Sequence, residues 1–332
     1  MRREQERIFA RTWQYAGRVD ELAERGSYLA TSLGDVPLLV TRDREGELRA
    51  FLNVCRHRGS VLVDGSGRRE TVQCRYHAWT YGLDGRLRKA PRAEREQGFE
   101  PDELGLVPAS VDTWGPFLFA NPDPDAGPLA ETLGELPRIL ETALDLPRLH
   151  FHSRVHYSLD ANWKIAVENF LECYHCPTAH PSFSDLVDVG VDAYVLEPHP
   201  TFASQYASLR ERPRALPYDP SGEVVRGQFH LLWPNLKLNV FPGRPNLSIG
   251  PVFPDGPDRT TGYLDYFFGE DVDDGRIADL LALDDQVGRE DRALVESVHR
   301  GMRSGLVVHG RLLLESEQLI LAFQRWLVDA VS

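Results

Sequence analysis

The chain has 332 residues, 42% of them hydrophobic and 26% charged, and a net charge of −13. That length suits two domains with separate cores, and the composition is that of an ordinary soluble globular protein. The acidic balance argues against a nucleic-acid partner held through phosphate contacts, and no apolar run approaches the roughly 20 residues needed to span a bilayer.

The opening residues MRREQERIFARTW are charged and lack the apolar core of a signal peptide. A cytoplasmic location is therefore expected. There, Cys55, Cys74, Cys173 and Cys176 read as metal ligands or free thiols rather than disulfides. Only three of the 37 basic residues are lysines (Lys89, Lys164, Lys237), a skew that codon usage explains as easily as selection for arginine.

Residues 1–24 carry Ile8, Phe9, Trp13, Tyr15 and Leu22 at spacings that predict a helix. From Gly26 the period changes to that of strands at 28–31, 36–41 and 48–54, with turns at Gly34-Asp35 and at 43–46. Asp64-Gly65-Ser66-Gly67 and Asp84-Gly85 mark further turns, and Trp114–Phe119 reads as another strand. Together these predict a small antiparallel β domain. The stretch 121–128 is dense in helix and strand breakers and reads as a connection, followed by a short helix near 130–144. Beyond residue 148 the pattern becomes mixed: a strand at 151–159 and a helix over about 161–176. Strands follow at 200–208, 227–232, 236–241, 246–252 and 260–268, then a long helix over about 275–303. The resulting class is α+β, with domains at 1–148 and 149–332.

Two clusters in the first domain carry chemistry: Cys55-Arg56-His57 and, with sixteen residues between them, Cys74-Arg75-Tyr76-His77. Each offers one thiolate and one imidazole, the ligand set of a Rieske-type [2Fe–2S] cluster. On this reading Cys55 and Cys74 bind one iron, and His57 and His77 the other. The alternatives are a structural zinc site, which more often uses looser C-x2-C pairs, or unrelated buried residues.

In the second domain, Trp163, Val167, Phe170, Leu171 and Tyr174 fall at helical spacing. Glu172 and His175 are three apart and share a helix face. His180 would point about 140° away from His175 on an unbroken helix, but Pro177 forces the chain to change course. Both histidines can then reach one metal, and two imidazoles with one carboxylate make the facial triad of non-haem Fe(II) oxygenases. The carboxylate is expected from the long helix, whose apolar stripe runs through Leu280, Leu283, Val287, Leu294, Val295, Val298 and Met302. Asp291 projects within about 20° of the centre of that stripe. A carboxylate facing a core is costly unless paired or bound to metal, so Asp291 is the candidate third ligand, with Asp284 its rival and Glu290 near the stripe's edge. Cys173 and Cys176 form a C-x2-C pair that could suggest thiol–disulfide chemistry, but no thioredoxin-like pattern surrounds it, which favours buried packing residues.

The pattern resembles the catalytic alpha subunits of Rieske non-haem iron oxygenases over nearly the whole chain. Cys55-x-His57 and Cys74-x2-His77 match the cluster motif. Asn162-Trp163-Lys164 through Glu168-Asn169-Phe170-Leu171-Glu172-x2-His175-x4-His180 matches the catalytic motif, and Arg289-Glu290-Asp291 the segment with the acidic ligand. The resemblance implies a Rieske domain followed by a helix-grip catalytic domain, like that of StAR-related lipid-transfer proteins. It also implies a ring trimer in which Glu172 links His77 of one subunit to His175 of the next. Asn169, one helical turn before Cys173, is expected near the iron, with ordinary helix hydrogen bonding as the alternative. Glutamate at 172, where ring dioxygenases place aspartate, together with Cys-Tyr-His-Cys at 173–176, is more similar to the branch that oxidises quaternary amines. The implied activity is hydroxylation or N-demethylation of such an amine with O2. The chain has no dinucleotide fingerprint and no plant-type ferredoxin motif, so electrons must come from a separate NAD(P)H-dependent reductase or ferredoxin. The alternatives are a ring-hydroxylating dioxygenase or O-demethylase of an aromatic acid, and a Rieske electron carrier without catalysis.

Overall fold

In the computed structural model, which describes residues 1–306 and 310–332, the chain divides into two compact units. One comprises Arg2–Thr132; the other comprises Leu133–Ser332 together with Met1.

The first unit is built on antiparallel strands β1 (Gln14–Arg18), β2 (Ser27–Leu33), β3 (Val36–Arg42), β4 (Leu48–Leu52), β5 (Ser66–Arg68), β6 (Thr71–Gln73), β7 (Thr80–Gly82), β8 (Leu87–Lys89), β9 (Pro108–Trp114) and β10 (Phe117–Asn121). Seven of them form one sheet in the order β1-β10-β9-β4-β3-β2-β5, while β6-β7-β8 form a small second sheet. Apolar runs dictate the strands: Leu38, Leu39 and Val40 are buried on both faces of β3, and Phe51 packs with Val72 and Tyr81 in the core beneath the small sheet. The helix expected over residues 1–24 is not formed. Helix is confined to Arg2–Phe9, whose end is buried by Ile8 and Phe9, and to a 3-10 turn at Val19–Leu22. Residues 14–18 instead pair with β10, Tyr15 opposite Phe119, across a bulge at Gly17. Gly17 has φ +148°, and a Cβ there would meet Leu29 at 2.9 Å, so glycine is required. A free edge of a sheet outcompeted the weak helical period of this segment. The strand expected at 114–119 is interrupted: Trp114 ends β9, Gly115-Pro116 make the hairpin turn with Gly115 at φ +55°, and Phe117–Phe119 begin β10.

The second unit contains β11 (Leu149–Leu159), β12 (Tyr194–Pro198), β13 (Phe202–Ser208), β14 (Arg226–Leu232), β15 (Leu236–Val240), β16 (Asn246–Pro254) and β17 (Thr260–Gly269), in the order β11-β17-β16-β15-β14-β13-β12. Every neighbouring pair is antiparallel, so β12 to β17 form a meander that β11 closes at one edge. Besides a short helix at Leu136–Glu141, its α-helices are α1 (Trp163–Phe170), α2 (Cys176–Ala179), α3 (Pro181–Leu186), α4 (Asp274–Met302) and α5 (Leu314–Val331). Asn162 caps α1 by accepting from the Lys164 N–H at 3.1 Å, and Asp273 caps α4 by accepting from Arg276. Trp163 is fully buried against Phe323 of α5, and truncation to alanine should cost about 3–5 kcal/mol. The α4 stripe is buried through Ile277, Leu280 and Leu283, but Val298 and Met302 stand 49% and 61% exposed. At that end Val295 and His299 face inward instead, His299 bonded to Asp258 at 3.2 Å. Strand β12 and helix α5 lie where no element was expected. No described helix is long and apolar enough to cross a membrane.

Candidate metal centres

In the first unit the two cysteine–histidine loops are near copies of one another. Gly59 N–H donates to the Cys55 carbonyl at 3.0 Å, and Ala78 N–H donates to the Cys74 carbonyl at the same distance. Both closing residues have positive φ, +72° at Gly59 and +57° at Ala78. Alanine is uncommon there, a local strain that the surrounding packing must hold. Each loop therefore buries its cysteine and presents its histidine outward. The two imidazole rings meet edge to face with centroids 4.6 Å apart, and His57 stacks on Trp79. Burial resists ionisation of Cys74, yet the backbone N–H groups of Tyr76 and His77 overcome it and hold its thiol below the ordinary range.

Tyr81 is a residue that the motif did not reveal. Its oxygen accepts from Arg56 N–H at 3.1 Å, which leaves the hydroxyl proton to Cys55 Sγ at 3.4 Å. Two buried thiols and two adjacent imidazoles, with N–H and O–H donors aimed at the sulfurs, fit a [2Fe–2S] cluster.

In the second unit, α1 ends at Leu171. The chain turns through 172–175, and α2 starts at Cys176. That break replaces the single helix expected to residue 176. The His175 Nε2 and His180 Nε2 atoms come within 3.1 Å of each other. Asp291 Oδ1 from α4 lies 3.0 Å from the second and 3.5 Å from the first. The rival Asp284 does not join them: it accepts from the Tyr266 hydroxyl.

Each of the three converging groups is held from behind. The Glu172 carboxylate bonds His175 Nδ1 and accepts from the Tyr174 and His175 N–H groups. Glu290 Oε2 lies 2.8 Å from His180 Nδ1 and is itself fixed by Gln286 at 2.9 Å. Asn169 donates to Asp291 Oδ1 at 2.7 Å, so Asn169 steadies the carboxylate. Glu290, placed only at the edge of the stripe from sequence, turns out to orient a histidine; its position directly before Asp291 was the available signal.

This arrangement can be tested for a metal by counting donors. With each imidazole proton on Nδ1, committed to a carboxylate, three lone pairs face one another across 3.0–3.5 Å with no proton among them. Such a set of donors can hold a cation. Without a cation a proton must stand in. Burial opposes it, but Asp291 and Glu172 raise His175 to about 9, and the two histidines in turn pull buried Asp291 well below the usual carboxylate range.

Cys176 Sγ also lies near, 4.0 Å from His175 Nε2, but it has no thiolate to give because it is bonded to Cys173. The expectation of free, separately packed thiols at 173 and 176 is thus corrected. The turn after α1 brings their Cα atoms to 4.9 Å, within reach of a disulfide.

The three converging atoms sit in the wall of a cavity of about 250 Å³. Tyr157, Phe170, Tyr194, Phe229, Phe241 and Tyr266 supply most of its aromatic surface. Polar side chains line it as well, Lys237 and Asp284 among them.

Comparison with known proteins matches both domains. Residues 12–109 match the Rieske [2Fe-2S] domain, and residues 146–332 match the catalytic domain of ring hydroxylating alpha subunits. The chain is 35% identical to the chloroplastic choline monooxygenase of Spinacia oleracea over 98% of its own length and 74% of that protein's. It is also 35% identical to the carnitine monooxygenase oxygenase subunit of Acinetobacter pittii, over 95% and 85%. The crystal structure of the quaternary ammonium Rieske monooxygenase CntA in complex with L-carnitine superposes with a TM-score of 0.84 at 32% identity, covering 100% of this chain and 92% of that one. The chain therefore belongs to the Rieske oxygenase alpha subunits, oxidoreductases that carry a [2Fe–2S] cluster in the first domain and a mononuclear iron in the second.

Proposed function

We propose that this protein is the terminal oxygenase of a system that hydroxylates or N-demethylates a quaternary amine, consuming O2 and two electrons from a separate NAD(P)H-dependent reductase or ferredoxin. The observation that carries it is the convergence of His175, His180 and Asp291 in the wall of an aromatic cavity. Those three residues would hold the mononuclear iron, and Cys55, His57, Cys74 and His77 the cluster. Bound there, the two centres supply stored electrons and dioxygen activation. In balance, one C–H bond, O2, two electrons and two protons give one C–OH and one water; when the carbon is an N-methyl, the product loses formaldehyde to leave the demethylated amine.

The chain's own residues set the conditions. Glu172 and Glu290 keep both imidazoles turned inward, and Asn169 fixes the Asp291 carboxylate. The aromatic wall excludes water and offers ring faces, which attract a cation through their quadrupoles. A trimethylammonium group suits such a wall.

Four further features belong to the same proposal. The seven-stranded antiparallel sheet and the 29-residue α4 are of the kind that a helix-grip fold combines. Exposed histidine tips on the first unit suit a ring trimer in which Glu172 of one subunit meets His77 of the next. The division at 1–148 and 149–332 is retained as the functional boundary, and the location as cytoplasmic. A second reading, oxidation of an aromatic acid, draws on Arg289 and Arg292 at the cavity rim. Oxygen uptake by the holoenzyme with a surrogate reductase tests both. Uptake matched by product formation with betaines and not with aromatic acids is expected. The reverse result would replace the first reading by the second, and product with neither class would leave a Rieske electron carrier.

A further inference from the structure

Lys237 has no role in the machinery described above, yet it sits inside the cavity. Alternation along β15 puts Leu236 and Leu238 on one face and Lys237 and Asn239 on the other, where both line the cavity. Across the ladder Lys237 pairs with Leu231 on one side and Gly250 on the other. Gly250 has no side chain, and a Cβ there would meet the Tyr263 carbonyl oxygen at 1.7 Å. The ammonium lies 5.2 Å from the centre of the Tyr157 ring and 5.5 Å from that of Phe170. Among the described residues no carboxylate forms an ion pair with it. The arginines of the same cavity differ: Arg289 is 67% exposed and paired with Asp285 at 3.0 Å, and Arg292 is exposed.

A fixed ammonium in a cavity walled for a cation is a contradiction unless the ligand brings an anion of its own. Like charges in a desolvated site repel. Asp284, in the same wall, does not remove the conflict: its carboxylate accepts from the Tyr266 hydroxyl and makes no ion pair with Lys237. We propose that Lys237 is a specificity-determining residue that accepts a carboxylate of the substrate. The cavity then takes a zwitterion, a quaternary ammonium joined by a short chain to a carboxylate, and rejects the corresponding alcohol or ester. This rests on the quaternary-amine reading above. Attraction to the anion and repulsion of an uncompensated cation act in the same direction, so one side chain both selects and excludes.

Matched ligands on the holoenzyme separate the two claims. Kd by calorimetry and oxygen-coupled turnover are measured for glycine betaine against choline, and for γ-butyrobetaine against its methyl ester. The carbon isostere 5,5-dimethylhexanoate carries the carboxylate without the ammonium. The carboxylate member of each pair should bind about tenfold tighter or more. Lys237→Met should shrink that ratio to about twofold, mainly by weakening the carboxylate member, while Lys237→Arg retains it. Lys237→Gln provides the same comparison should the methionine variant fail to load its metals. Equal binding within the wild-type pairs, or a preference that survives Lys237→Met and Lys237→Gln, overturns the role of Lys237 and leaves the quaternary-amine reading standing. Binding of 5,5-dimethylhexanoate as tight as γ-butyrobetaine overturns the quaternary-amine reading and leaves the carboxylate role standing. Binding of no member overturns both.

Discussion

The candidate cluster site draws its four ligands from two loops of one small domain, each closed by the same bond from the fourth residue back to the cysteine carbonyl. The candidate iron site draws on a turn after α1 and on α4, with His180 and Asp291 111 positions apart. In the first, the loop backbone itself aims N–H groups at the cysteine, and the histidines are left exposed. In the second, side chains do that work: Glu172, Glu290 and Asn169 each hold one converging group, and His180 is only 2% exposed. A backbone-built site is robust to side-chain change around it, whereas a side-chain-built site depends on every supporting residue.

The largest effect that would break this contrast comes from Asp291→Ala. It should abolish turnover and reduce iron from three to two per chain while the visible spectrum of the cluster stays unchanged. A retained third iron would show that Asp291 is not a ligand. Next come the two glutamates. Glu172→Gln keeps an oxygen to accept from His175, so it should retain iron and lose turnover by about a hundredfold or more; Glu172→Ala and Glu290→Ala should weaken iron about 10–100-fold, read by metal competition. Unchanged turnover in Glu172→Gln would reject the linking role proposed between subunits.

A third test concerns His230, fully buried and bonded to Ser204 at 2.8 Å, whose ring burial holds at about 3. The unfolded chain protonates this residue near 6.5 while the folded chain resists. Stability should therefore be level above pH 6.5 and fall as pH drops from 6.5 towards 3, by about a few kcal/mol in all. Urea unfolding at pH 7 and pH 5 should show that loss, and His230→Asn should reduce it. The smallest effect is at Tyr81. Tyr81→Phe removes one O–H donor to Cys55, a loss of about 1 kcal/mol, so the cluster potential should drop by a few tens of millivolts. Redox titration checks it, and an unchanged potential would mean that the hydroxyl does not reach the sulfur.

Legibility in the sequence followed the same division. Alternating or continuous apolar runs marked β2, β3, β14, β15, β16 and β17 to within a few residues, and the apolar stripe marked α4. The opening segment was misread because Tyr15 and Trp13 satisfy a helical period as well as a strand, and only pairing with β10 decides between them. Helix α5 passed unread, although its buried Leu319, Ile320 and Phe323 carry a helical period. At the iron site, Pro177 and the position of Asp291 in the α4 stripe were readable. The pairing of Glu290 with His180, the bond between Cys173 and Cys176 and the inward face of Lys237 were not.

Taken alone, the residue order determined which groups could bind metal, because ligand chemistry and short spacings are local properties of the chain. It also determined the α+β class, since burial periods of two and of about 3.6 residues are written into the order itself. Tertiary structure alone decided which carboxylate meets which imidazole and which cation faces the cavity. Those outcomes depend on how a helix lies against a sheet distant in sequence, and an angular difference of one helical position moves a charge from a ligand to a bystander.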